Sequence, residues 1–217
     1  MNPIRDKILG NVREALGRKP GTPPPPIPAT ARIAPRTTGE PEAEIAQLLA
    51  EIEKLSGVTR RVASRDELRD ALADLVRAED VKRATLWTTP DLAVWGVAET
   101  LQTLGVELVS AQADKHLVAA CELGVTGVDA ALPETGTLLL RSSPERARVV
   151  SLLPRVHLAI FTPSALRADL HQAFADAKDA GYSVLVTGPS RTADIELTLT
   201  LGVHGPKSLY AWVLTGY

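Results

Sequence analysis

Cysteine is nearly absent from this chain. Cys121 is the only one in 217 residues, so no internal disulfide can form and no four-thiolate zinc or iron–sulfur site can be built from this chain alone. Its Ala-Ala-Cys-Glu-Leu setting reads as a small buried position rather than a nucleophile. Aromatic residues are scarce as well, at 4%, which removes the stacking surface that single-stranded nucleic acid requires. Neither sign of charge dominates: 24 Lys and Arg face 26 Asp and Glu. With a pI near 6.1, no global field draws a polyanion, and nucleic acid is excluded as a partner. No run approaches the roughly 18–20 apolar residues of a bilayer span. The opening Met1-Asn-Pro-Ile-Arg-Asp-Lys7 has no apolar centre of the signal-peptide kind, so a cytoplasmic location is expected. The 4 histidines show no metal-binding spacing, and the P-loop and Gly-x-Gly-x-x-Gly fingerprints are missing.

What is present is a full complement of core formers, 45% of the chain. Three segments follow from their distribution. Residues 1–18 place Ile4, Ile8, Leu9, Val12, Ala15 and Leu16 at helical spacing, an amphipathic helix. Residues 19–40, with Pro23-Pro-Pro-Pro26, read as an extended or flexible linker without a core of its own. Residues 41–217 form an α/β domain. There Ala43–Leu55 reads as helix and Val58–Ala63 as strand, and Ser64 with Glu67 opens a helix through a capping box. Strand Ala84–Thr88, helix Pro90–Leu104 and strand Val106–Ser110 follow. Later come strand Val156–Phe161, helix Ala165–Ala180, buried strand Tyr182–Val186, a turn with a helical segment, and strand Ser208–Leu214. This alternation predicts a mostly parallel sheet with helices on both faces. Between its halves, Gly124–Leu132 and Thr135–Leu140 predict an inserted β-hairpin region.

The polar residues of chemical interest concentrate in a few short stretches. Leu132-Pro-Glu-Thr-Gly136 matches a sortase signal letter for letter, but globular pattern follows it and that reading is discarded. In the same stretch Glu134, flanked by Thr135, Gly136 and Thr137, supports two readings. It is a base or nucleophile with hydroxyls to orient a ligand, or it solvates a tight turn. In Gly188-Pro-Ser-Arg-Thr-Ala-Asp194, a strand running into a helix start predicts an anion site. Gly188, Ser190, Arg191, Thr192 and Asp194 are its candidate contacts, Arg191 as a bidentate clamp. The same letters also describe an ordinary N-cap. His204, between glycines in Gly202-Val-His-Gly-Pro206, is a candidate acid/base or a turn residue. His157, within an apolar strand, reads as a satisfied core histidine.

Four stretches in this order, 131–137, 152–157 (Leu-Leu-Pro-Arg-Val-His), 188–196 and 202–206, resemble the LUD-domain family and within it the lactate-utilization protein C branch. Leu132-Pro133 stands where that family usually has Ile-Ala. The resemblance implies a fold similar to the NagB/RpiA/CoA-transferase-like superfamily. It also implies a subunit of a system oxidising L-lactate to pyruvate, beside two partner subunits of which one or both carry iron–sulfur clusters; the Arg191 stretch adds an anionic small molecule or a partner as what binds there. The chain's own cofactor stays unknown, with neither metal nor iron–sulfur cluster expected in it. By analogy with that superfamily, Glu134 is also the candidate nucleophile of a CoA-transferase-like or phosphosugar-type enzyme.

Overall fold

The structure, a computed structural model, describes residues 3–19, 23, 26, 35–193, 199–202 and 204–216. It divides into two units, Met1–Ala34 and Pro35–Tyr217. The first contains α1 (Pro3–Ala15), an amphipathic helix with no buried residue. In the second, α2 (Pro41–Lys54) leads to β1 (Val58–Val62), α3 (Arg65–Ala78), β2 (Arg83–Leu86), α4 (Pro90–Val94) and α5 (Val97–Thr103). Then come β3 (Glu107–Leu108), α6 (Lys115–Ala119), β4 (Leu123–Thr126), β5 (Ala130–Leu132), β6 (Thr137–Arg141), a 3-10 turn at Arg148–Ser151 and β7 (Val156–Phe161). A second such turn at Pro163–Ala165, α7 (Leu170–Ala177), β8 (Ser183–Val186), β9 (Arg191–Ala193), β10 (Leu199–Leu201) and β11 (Ser208–Leu214) complete it.

Six strands form one parallel sheet in the order β1-β11-β7-β4-β2-β3. A parallel sheet is covered on both faces, so its strands must be apolar on both. β7, at the centre, has all six residues buried. Its Leu158 and Ile160, with Trp212 and Leu214 of β11, pack under Leu68, Leu72 and Leu75 of α3 and Val97 and Leu101 of α5. The alternate residues Ala159 and Phe161, with Leu209, Ala211 and Val213, pack under Ile45, Leu48, Leu49 and Ile52 of α2. The α/β class and the parallel sheet are therefore as the sequence predicts. The capping box is present: Ser64 Oγ accepts from Glu67 N at 3.2 Å. Its carboxylate closes one residue early, accepting from Ala63 N at 2.7 Å.

The inserted region is a second, antiparallel sheet, β5-β6-β8. Three expectations change here. The run Gly124–Leu132 is split, β4 staying in the parallel sheet while β5 belongs to the small one. Tyr182–Val186 is not a buried strand of the parallel sheet: β8 forms the small sheet's edge, with Leu185 41% exposed. One face sees solvent, so its apolar run is only half used. The helical segment expected after Gly188 is instead β9, paired antiparallel with β10.

Two helices are also shorter than their patterns. Pro90–Leu104 breaks at Trp95–Gly96 into α4 and α5, since glycine is among the poorest helix formers. α7 begins only at Leu170, where Asp169 caps it by accepting from Gln172 N. Ahead of it the backbone is diverted to the small sheet, Arg167 N donating to Ala131 O at 2.9 Å. Among the described residues, no helix is long and apolar enough to cross a membrane.

Candidate functional site

The turn between β5 and β6 is held by close backbone contact. Gly136 has φ 63°, and a Cβ there would lie 2.8 Å from Ile52 N and 2.9 Å from Glu51 C. Only glycine meets both conditions, so the turn seats directly on the last turn of α2. This placement leaves Glu134 and Thr135 exposed and Thr137 buried. Three hydroxyls then run in series: Thr135 to Thr137 at 2.8 Å and Thr137 to Thr187 at 2.9 Å. They link the β5–β6 turn to the loop after β8. Glu134, Thr135, Thr137 and Thr187 line one cavity of about 320 Å³, closed by Leu132, Ala168, Asp169, Leu170 and Leu185.

The loop after β8 is fastened on both sides. Gly188, at φ 90°, would bring a Cβ within 3.1 Å of Leu55 Cβ. Ser190 N donates to Pro206 O at 2.9 Å, and Gly202 N donates to Ser190 O at 3.0 Å. The helix start on which the anion site was expected is corrected at this point. Arg191 stands in a strand, not at a helix start, and its Nη2 donates to Leu55 O at 2.5 Å and Ser56 Oγ at 3.3 Å. The carbonyls at the end of α2 have spare lone pairs and partial negative charge, which attract the guanidinium. Thr192 also lies in β9, and Asp194 falls outside the described residues.

A second cavity, of about 240 Å³, lies beside the first and shares Leu185 and Thr187 with it. Three separate stretches meet there: Ser151, Leu152 and His157; Val184 to Ser190; and His204 to Pro206 with Leu209. It sits by the amino ends of β7 and β11, not at the carboxyl edge that the strand-to-helix reading expects. His204 is exposed, whereas His157 is 1% exposed. His157 Nε2 shares a 2.9 Å hydrogen bond with Thr126 Oγ1. Its Nδ1 has no partner among the described residues. The core histidine expected to be satisfied is half satisfied among the described residues, and it lines a cavity. Burial lowers its pKa from 6.5 to about 4, so the imidazole is neutral near pH 7.

Glu134 and His204 thus line different cavities. The sequence reading missed His157, although Leu152-Leu-Pro-Arg-Val-His157 was in view; a polar residue inside a strand otherwise apolar throughout was the available signal. It also missed a polar cavity of about 510 Å³ at the carboxyl ends of β4 and β7, lined by Asp91, Gly127, Asp129, Arg146, Thr162, Ser164 and Arg167 among others. Asp129, with its side chain 5% exposed, accepts from Arg141 Nε at 3.0 Å and Arg146 Nη1 at 2.5 Å, and from Arg141 N at 2.8 Å. Cys121 is buried, and burial pushes its thiol pKa up, away from nucleophilic use. Among the described residues no His, Cys, Asp and Glu group suited to a metal ion is found.

Fold and site together define a parallel α/β protein that carries a small antiparallel sheet and gathers its polar motif loops beside it. The chain belongs to the LUD domain family, whose model matches residues 45–214. It is 27% identical to a lactate utilization protein C of Geobacillus sp. (strain WCH70), over 97% of this chain and 95% of that protein. A protein of the same description from Halalkalibacterium halodurans is 32% identical, over 65% of this chain and 66% of that one. An uncharacterized protein of Neisseria meningitidis serogroup B is 42% identical, but over only 41% of this chain and 40% of that protein. Among solved structures, a DUF162 family protein from Deinococcus radiodurans shares the fold, with TM-score 0.60 and 18% identity, covering 82% of this chain and 99% of that one.

Proposed function

We propose that this chain is a cytoplasmic subunit of an L-lactate utilization system that oxidises lactate to pyruvate, working beside partner subunits that hold the iron–sulfur clusters. The observation that carries this reading is the similarity to lactate utilization protein C along nearly the whole chain. With one cysteine, this subunit's part is binding and positioning rather than electron transfer. The two cavities sharing Thr187 are its ligand or partner site, with the exposed Arg191, next in the chain to Ser190 of the smaller cavity, as the cation an anionic group would meet outside them. Affinity capture of the tagged chain from lactate-grown cells should bring down cluster-bearing proteins with lactate-oxidising activity. Recovery of the chain alone, with lactate growth unchanged on its deletion, would sink the reading.

A second reading has its own support in the exposed carboxylate of Glu134 at the 320 Å³ cavity. There the chain acts alone on an acyl-CoA or phosphosugar, Glu134 serving as nucleophile or base. Glu134→Gln then abolishes turnover while the melting temperature stays put. Equal loss of both would return Glu134 to a turn-solvating role.

A further inference from the structure

We infer that His157 is a ligand contact, and that the smaller cavity takes the uncharged carbonyl or hydroxyl end of a small molecule with an apolar body. This rests on reading the motif cavities as a ligand site, not on lactate utilization. The starting point is an anomaly in β7. Five of its six residues are apolar, and the sixth buries a ring nitrogen without a partner among the described residues. Leaving such an atom unpaired is unfavourable relative to pairing it. An apolar residue would remove that cost, yet the imidazole is there and Thr126 fixes its plane through Nε2.

The ring lines the cavity that the motif loops enclose. The walls give the ligand's chemistry. Leu152, Val184, Val186 and Leu209 are apolar, and among the described residues no Lys or Arg lines the space. A carboxylate or phosphate would therefore be desolvated there without a fixed positive charge, which is unfavourable. A neutral head group meets no such penalty. The imidazole serves either kind: Nδ1–H donates to a carbonyl when Nε2 accepts from Thr126, and Nδ1 accepts from a hydroxyl in the other tautomer.

The test is histidine-selective 15N NMR of the full chain, titrated with hydroxyacetone, with lactamide and with inorganic phosphate. The His157 resonance is assigned by its disappearance in His157→Leu/Thr126→Val, a double change that removes both hydrogen-bond partners together. A saturable shift of His157 Nδ1 with either neutral probe, and none with phosphate, is the expected result. The double variant should bind the same probes about tenfold more weakly or worse. No shift with either neutral probe, or an equal one with phosphate, overturns the inference. Should the double variant fail to fold, the wild-type titration still decides, because the other histidines, His116, His171 and His204, are exposed and individually replaceable. A chain that passes this test but never captures cluster-bearing partners keeps this inference and loses the lactate-complex reading; the reverse result does the opposite.

Discussion

A single buried imidazole gives this protein a measurable acid response. His157 has its pKa lowered to about 4 by burial, against 6.5 in the unfolded chain. Between those values the unfolded state binds the proton and the native state does not, so stability is full above pH 6.5 and falls as pH drops toward 4. The loss from this residue is roughly 3 kcal/mol over that window. Urea denaturation across pH should show it, and the slope should flatten in His157→Leu/Thr126→Val; identical slopes would place the acid response in carboxylates instead. Gly136 offers a test of a different kind. Ala there must hold a left-handed φ and displace backbone atoms of α2, at a cost of about 2–4 kcal/mol. A Gly136→Ala chain that melts like the parent would mean that the turn does not sit on α2. The sequence placed His157 in the core, but neither its missing hydrogen bond nor the neighbour of Gly136 could be read there. The letters around Gly136 announce a turn, but the helix end it rests on is more than eighty residues upstream, and hydrogen-bond deficits are properties of packed neighbours.

Elements were more legible where one physical signal acted alone. β7 and β11 are mostly apolar on both faces, and both were found at their true bounds to the residue. α3 was found through its cap, and Ser64→Ala should lower stability by about 1 kcal/mol in a urea melt. β8 was found too but given the wrong neighbours, because an apolar run of five does not say which sheet it joins. What decides its place is cross-strand pairing with β6, together with the pin that Asp129 supplies between β6 and the Arg146 loop. Asp129→Ala leaves two guanidiniums facing a buried gap. Since both are partly solvated, the expected loss is roughly 2–3 kcal/mol, read as a lower urea midpoint with unchanged slope. A loss below that of Ser64→Ala would show that the ion cluster is mere surface decoration.

At the scale of the molecule, the two sheets are one cooperative body. Trp87, Trp95 and Trp212 all belong to the core on one face of the parallel sheet, and Val184 and Val186 of the small sheet pack against that same core. Tryptophan fluorescence and far-ultraviolet circular dichroism should therefore trace superimposable unfolding curves. Two separated transitions would mean that the small sheet melts independently. α2 gives this body a mechanical property. Its last turn carries the two motif glycines and Arg191, while near its start Glu44 holds Arg36 Nη2 at 2.8 Å. Arg36 is bonded in turn to Ala168 O and Asp169 Oδ2, on the wall of the larger cavity. The helix is a strut braced at both ends against the same chamber. Because Arg36 reaches both α2 and the cavity wall, a shift of that helix is felt where a ligand would sit.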